Sequence, residues 1–334
     1  MILNFLFEKF ESLIVSDEPK SINHHSANSN QMRPGQLKPY YVYRFLRWKL
    51  GDKSPLTAVA KVTNECELKC DHCPWWRREI DEASIQEWLK ALKKAREMGV
   101  THLILEGGEP TSRKDINQII SYAKKLGMLV MIITNGINDL SQYKPDNFWI
   151  SIDGLGDIHD TLRGKGVFKR VVQNIKRNPD TPKMVLCTIS KTNVHQLEDI
   201  AAFFSEITDG VWFNFMYPYK GSKDIALSLS EQKETASKII KLKDEHNIIN
   251  SCSYLRSVGK KSRKEDCRSF LTLLIDTDLT FHQGCTVEQI EECRCEVCNL
   301  GCYGELTQAL KLRIDALKFL QKSTGLEDKL LWLG

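Results

Sequence analysis

A chain of 334 residues, 42% hydrophobic and 27% charged, has an ordinary globular composition and the length for one large domain with a smaller one beside it. Its 47 basic and 43 acidic residues nearly cancel, leaving +4, which argues against nucleic acid as a partner. Nine of the eleven cysteines fall in two clusters, Cys66, Cys70 and Cys73 near the front and six between Cys267 and Cys302; thiols grouped this tightly in a large chain exclude a secreted disulfide scaffold and point to metal ligation in a reducing cytoplasm.

In chain order, Leu3, Leu6, Phe7, Phe10, Leu13 and Ile14 recur at spacings of three and four, which predicts an amphipathic helix. Glu8 and Lys9 interrupt the apolar run and no small-residue cleavage site follows, so a signal peptide is not expected. Docking on the main domain and lying on a membrane surface are both open to this helix. A polar stretch over residues 16–36 reads as a linker. From residue 57, short apolar runs alternate with amphipathic stretches, the pattern of repeated βα units. Strands are predicted at 58–62, 102–105, 129–133, 147–152, 184–189 and 211–215, and helices at 83–98, 115–126, 168–177, 194–207 and 230–245, with only a short connection between the third and fourth strands. Six parallel units fall short of a closed eight-unit barrel, so residues 37–250 are expected to form a partial (β/α)6 TIM-like barrel of the α/β class. Beyond residue 250 the rhythm stops. A hairpin (271–275 and 279–282), a cysteine-rich loop (285–302) and a helix (306–320) make residues 251–334 a small cysteine-rich, metal-binding domain.

The segment Cys66-Glu-Leu-Lys-Cys70-Asp-His-Cys73 follows the first strand, where barrels place active-site loops. Three thiolates on one loop suit an iron–sulfur cube, and the lack of a fourth nearby ligand leaves one iron open to a small molecule. A structural zinc ion needs a fourth ligand such as His72, awkwardly placed between two others.

On these residues the sequence resembles the radical S-adenosylmethionine (SAM) superfamily over about 58–217. CxxxCxxC is that family's cluster motif, and His72 stands where the family has a planar residue packed near the adenine. Gly107, Gly108, Glu109 and Pro110 look like the GGEP motif that receives the methionine amino group. Thr134-Asn135-Gly136 and Ser151-Ile-Asp153-Gly154 resemble segments that contact the methionine carboxylate and the ribose. Thr188, Ser190 and Asn214, at the ends of the fifth and sixth strands, stand where further adenine and ribose contacts would fall. Singly, a glycine pair is a turn and Ser-x-Asp a helix cap; four matches in order, in register with the cysteines, carry the resemblance. It implies that SAM chelates the open iron of a [4Fe–4S] cluster and that an electron, from a donor such as ferredoxin or flavodoxin, breaks SAM to a 5′-deoxyadenosyl radical in an anaerobic setting. Arg163 lies in a stretch common in family members with auxiliary clusters; neutralising a SAM carboxylate or the cluster, and an ordinary loop salt bridge, are both open to it.

Four thiolates complete a [4Fe–4S] cluster, so the later cysteines point to at least one auxiliary cluster. The favoured ligands are Cys267, Cys285, Cys298 and Cys302, with Cys295 the main competitor, and zinc stays open as an alternative. The layout resembles the Twitch domain or a reduced SPASM domain. The tail from Cys295 through Cys298 and Cys302 to Glu305 is similar to the end of adenosylhopene synthase and related enzymes acting on lipid chains. Together with the N-terminal stripe, this makes modification of a membrane lipid or isoprenoid by C–C bond formation, at the inner face of the membrane, the leading expectation. Modification of a peptide or protein is the second; the leader-binding domain usual in such enzymes is not evident before residue 58. A non-catalytic iron–sulfur electron carrier is the third, and has no use for a SAM pocket. Trp75 and Trp76 either line a substrate channel or shield the cluster. The Lys260, Lys261, Arg263 and Lys264 run either meets anionic headgroups or is a solvated loop.

Overall fold

Short apolar runs that must bury both faces assemble as neighbouring parallel strands covered by helices. In the computed structural model, which describes residues 34–178, 180–261 and 264–323, six such strands are β1 (Thr57–Lys61), β2 (His102–Glu106), β3 (Leu129–Thr134), β4 (Asn147–Ser151), β5 (Lys183–Ile189) and β6 (Gly210–Phe215), paired in parallel in chain order. Alternate residues face opposite sides. Ala58, Ala60, Leu103, Leu105, Val130 and Ile132 bury outward with residues of helices α2 (Ile85–Glu97) and α3 (Ile116–Lys125) in the main core. The other parity forms a separate inner core of Trp149, Met184 and Trp212 with Met131, Ile133 and Leu186. The barrel is open and partial, as expected.

Helix α1 (Pro34–Lys49) was not anticipated from the sequence, which reads as linker to residue 36. Its Arg44, 4% exposed, donates to the carbonyls of Gly99 (2.6 Å), Pro55 (2.7 Å) and Ser54 (3.2 Å) and stacks over Trp48. Tyr40, Arg44 and Trp48, four apart, are the helical stripe that signals it. Between β4 and β5 the single expected helix is two, α4 (Asp157–Arg163) and α5 (Val167–Arg177); α6 (Leu197–Ser205) and α7 (Leu229–Leu242) follow the next strands.

The hairpin forms, but its strands join the barrel sheet instead of standing apart. Strand β7 (Thr272–Ile275) pairs in parallel with β1, and β8 (Phe281–Gln283) pairs antiparallel with β7, giving the order β6-β5-β4-β3-β2-β1-β7-β8. The second strand begins two residues later than expected because Leu279 takes φ 65° in the turn and Asp278 accepts from the Thr280 amide. The single helix expected at 306–320 is likewise two, α8 (Gly301–Leu310) and α9 (Ile314–Ser323), broken where Leu312 takes φ 57°. That break turns α9 so that Phe319 stacks on Trp212 (centroids 5.8 Å apart) and plugs the inner core. Among the described residues no helix is long and apolar enough to cross a membrane. The N-terminal stripe at Leu3–Ile14 lies outside them, as does Arg263.

Candidate active site

Residues 63–78 leave β1 as the loop that carries Cys66, Cys70 and Cys73. Backbone carbonyls within it are taken by side chains of its own second half: Trp76 Nε1 donates to Cys70 O (3.0 Å) and Arg77 to Cys73 O (2.6 Å). Cys70 is buried and the other two are half-buried. Burial pushes the Cys66 thiol up to about 11, and the Glu109 charge adds to this; burial raises Cys70 as well. Without metal these thiols hold their protons, which a soft cation displaces.

The next strand end is laid against this loop by backbone alone. Gly108 N donates to Thr63 O and Glu109 N to Glu65 O, both at 2.7 Å. A Cβ at Gly108 would stand 2.1 Å from Glu65 O, and one at Gly107, whose φ is 153°, 2.3 Å from Thr63 O. Gly108→Ala is therefore expected to force the two loops apart, costing about 2 kcal/mol and several-fold in iron bound per chain; urea unfolding and iron analysis read both.

Glu109 is 1% exposed. Its Oε1 accepts from Thr111 N (3.1 Å), Thr111 Oγ1 (2.6 Å) and Thr134 Oγ1 (2.7 Å), and its Oε2 from Asn135 N (2.7 Å). Burial pushes its pKa up against these donors. The carboxylate thus ties Pro110 and the β2 loop to the end of β3, and with about four acceptor sites on a carboxylate only Oε2 has room for a further N–H. The side-chain amide of Asn135 turns to Cys66, Nδ2 lying 3.9 Å from Sγ.

On the far side of the cysteines sits Asp153, 2% exposed. Its Oδ2 lies 2.7 Å from Arg163 Nε and 3.4 Å from His72 Nε2. Burial opposes its ionisation, but Arg163 and His72 outweigh burial and hold the carboxyl well below the usual range. Arg163 is raised in turn, against burial, by Asp153 and by Cys70 and Cys73. Arg163 thus forms a salt bridge with buried Asp153 and stands within electrostatic reach of Cys70 and Cys73. His72 Nδ1 and Asp153 Oδ1 are buried with no hydrogen-bond partner among the described residues, so this wall of the site fits a polar ligand next to the cysteines.

The Asp153 amide donates to His159 Nδ1 (3.1 Å). His159 is fully buried, and burial first, then Arg163, brings its pKa down to about 4 from the ordinary 6.5. A histidine depressed in the fold adds stability that is complete above pH 6.5 and is withdrawn as pH falls toward 4. The apoprotein is expected to lose up to about 3 kcal/mol across that window from this group, and a His159→Gln variant to show a shallower melting-temperature profile there.

Ser151 and Thr188 share the inner-face parity of Asp153, half-buried, with Thr188 O accepting from Asn193 (2.8 Å). Buried Ser190 donates its amide to Asn193 Oδ1. Asn214 Oδ1 accepts from Gly301 N (2.8 Å) and seats the start of α8.

Cys267, Cys285, Cys293 and Cys298 pack together with Tyr217, Val287 and Tyr303. Each pair among Cys267, Cys285, Cys298 and Cys302 lies within mutual electrostatic reach, and burial with those neighbours lifts Cys298 to about 12. Cys293 was left out of the expected ligands, yet its Sγ lies 3.9 Å from Cys285 Sγ and 3.6 Å from Cys295 Sγ. Its C-x-C spacing with Cys295 was the available signal. Six thiols converge where four are needed, a donor set suited to iron and sulfide. Among the described residues no group of three or more His, Cys, Asp or Glu side chains is arranged around a single ion.

An open parallel barrel thus carries a three-cysteine loop on its first strand, meshed with a glycine-rich second loop, a thiol set suited to an iron–sulfur cluster. Residues 60–204 match the radical SAM superfamily; members of this family use a [4Fe–4S] cluster and SAM. It is 29% identical over 225 residues to Fe-coproporphyrin III synthase of Methanosarcina barkeri, covering 62% of this chain and 55% of that protein. It is 30% identical over 158 residues to the sporulation killing factor maturation protein SkfB of Bacillus subtilis, covering 44% and 38%. Among solved structures, Streptococcus suis SuiB bound to precursor peptide SuiA shares the fold, with a TM-score of 0.60 at 18% identity over 87% of this chain and 74% of that one. The chain thus spans about half or less of the curated relatives' lengths.

Proposed function

We propose that this chain is a radical SAM enzyme that modifies a peptide or protein. The observation that carries the chemistry is the meshing of the Cys66–Cys73 loop with Gly107–Pro110, beside the unpartnered polar atoms of His72 and Asp153. Likeness to the SkfB maturation protein supports the substrate class. The lipid reading is not favoured by these relatives, and its N-terminal stripe lies outside the described residues. A tetrapyrrole is the second reading, favoured by the longer match to Fe-coproporphyrin III synthase.

When bound, the cluster and SAM supply one-electron cleavage of SAM and hydrogen abstraction from the substrate. The chain's own part is to present three thiolates from one loop, to direct the Asn135 N–H at Cys66, and to hold Arg163 as a fixed positive charge beside Cys70 and Cys73. Asp153 orients His72 from behind. Trp75 and Trp76 follow Cys73 in a short helical turn, and Trp76 braces the loop through its bond to Cys70 O. The later cysteines would hold an auxiliary cluster near the substrate.

The test is an anaerobic assay of reconstituted protein with SAM and dithionite, reading 5′-deoxyadenosine with and without a synthetic peptide library, coproporphyrin III or an isoprenoid lipid. Stimulation and a mass change on peptide alone support the proposal. A response only to the porphyrin or the lipid overturns it.

A further inference from the structure

Lys61 and Glu106 are register partners on β1 and β2, both of inner-face parity at the strand ends. Lys61 Nζ lies 2.5 Å from Glu106 Oε1. The Lys61 side chain is 4% exposed and the Glu106 side chain 22%, so the pair is lodged in the barrel with its acidic half outward. Trp75, two residues past Cys73, roofs it: Lys61 Nζ sits 3.4 Å from that ring's centre. Tyr219, which packs among Cys267, Cys285 and Cys298, lies within electrostatic reach of Glu106. The pair therefore sits beneath Trp75 of the first cysteine loop and within electrostatic reach of a residue packed on the second.

A buried ion pair contributes little net stability, since a well-packed apolar pair of the same volume would hold the strands as well. Its retention facing the barrel interior calls for a ligand. Glu106 repels an anion, and Lys61, already on the face of Trp75, repels a second cation. What remains complementary is a neutral donor able to use the outer carboxylate oxygen, with the Trp75 ring beside it to cover an apolar neighbour.

We propose that Glu106, held by Lys61 beneath Trp75, is a substrate-anchoring subsite that accepts a hydrogen bond from a neutral amide N–H, the repeating donor of a peptide chain. The inference rests on the peptide reading above and names the group that would position the substrate beside the first cysteine loop. The Lys61–Glu106 contact fixes the carboxylate so that its free oxygen needs no reordering on binding.

The test is photo-affinity labelling of the full-length reconstituted protein with N-acetyl-photoleucine N-methylamide, mapped by peptide mass spectrometry. Wild type is expected to be labelled near Trp75 or Tyr219, with excess propionate or butylamine unable to compete. Glu106→Leu with Lys61→Met should lower that labelling about tenfold, the loss of one hydrogen bond to a charged acceptor, at unchanged iron content; Glu106→Gln should fall between. Equal labelling in the double variant, no lumen labelling of wild type, or displacement by propionate, which would mark carboxylate binding at Lys61, overturns the proposal. If unlabelled wild type still cleaves SAM, only this subsite fails; if it cleaves none, the enzyme reading fails with it.

Discussion

Replacing Cys66, Cys70 and Cys73 together by alanine should remove about four irons per chain and reduce 5′-deoxyadenosine to the level of a protein-free control, while the later cysteines keep their own iron. The expectation follows from how separate the two thiol groups are in the fold. The first three lie on one loop after β1, with Asn135 and Arg163 as their polar neighbours. The last six flank the β7–β8 hairpin, Cys267 before it and five after it, with Cys267, Cys285, Cys293 and Cys298 packed among Tyr217 and Tyr303. The substitution should leave the fold intact, because the loop is also held by Trp76, Arg77 and the glycine contacts. Far-UV circular dichroism with iron and sulfide analysis checks this. Loss of all iron, or loss of none, would mean that the clusters are not independently held.

The second large effect is expected from Arg163→Met. It leaves Asp153, 2% exposed, without its guanidinium. Breaking a buried pair on one side costs about 3–5 kcal/mol because a desolvated charge is stranded. Part of that is recovered by protonating Asp153, whose carboxyl would no longer be held low. The deficit in urea unfolding should therefore be largest near neutral pH and shrink as acid supplies the proton. Arg163→Met with Asp153→Asn should regain most of the stability, since the stranded charge is gone. Iron retention should not recover with it, because the positive charge beside Cys70 and Cys73 is still missing. Matching deficits in single and double variants would show that the salt bridge is not what holds this wall.

The barrel strands were legible because a parallel strand covered on both faces is a local apolar run, and each of the six lies within about two residues of its expected position. The cysteine loop was legible for the same kind of reason: ligand spacing on one loop is a property of consecutive residues. Helix α1 was missed because its stripe of Tyr40, Arg44 and Trp48 mixes a cation with aromatics, and that cation is satisfied only by carbonyls of Gly99 and Pro55. The hydrogen bond of Asn214 to the start of α8 was not legible, because it joins residues 87 positions apart.

By itself the sequence determined the open α/β barrel, the position of the three-cysteine loop and the glycine-rich loop that must follow it, all set by periodicity and spacing within a few residues. Only the tertiary structure decided that β7 completes the sheet beside β1, that α9 plugs the inner core with Phe319, and that Lys61 and Glu106 pair beneath Trp75. These depend on residues tens to hundreds of positions apart, whose meeting is settled by the burial and charge pairing of the whole chain and leaves no local mark.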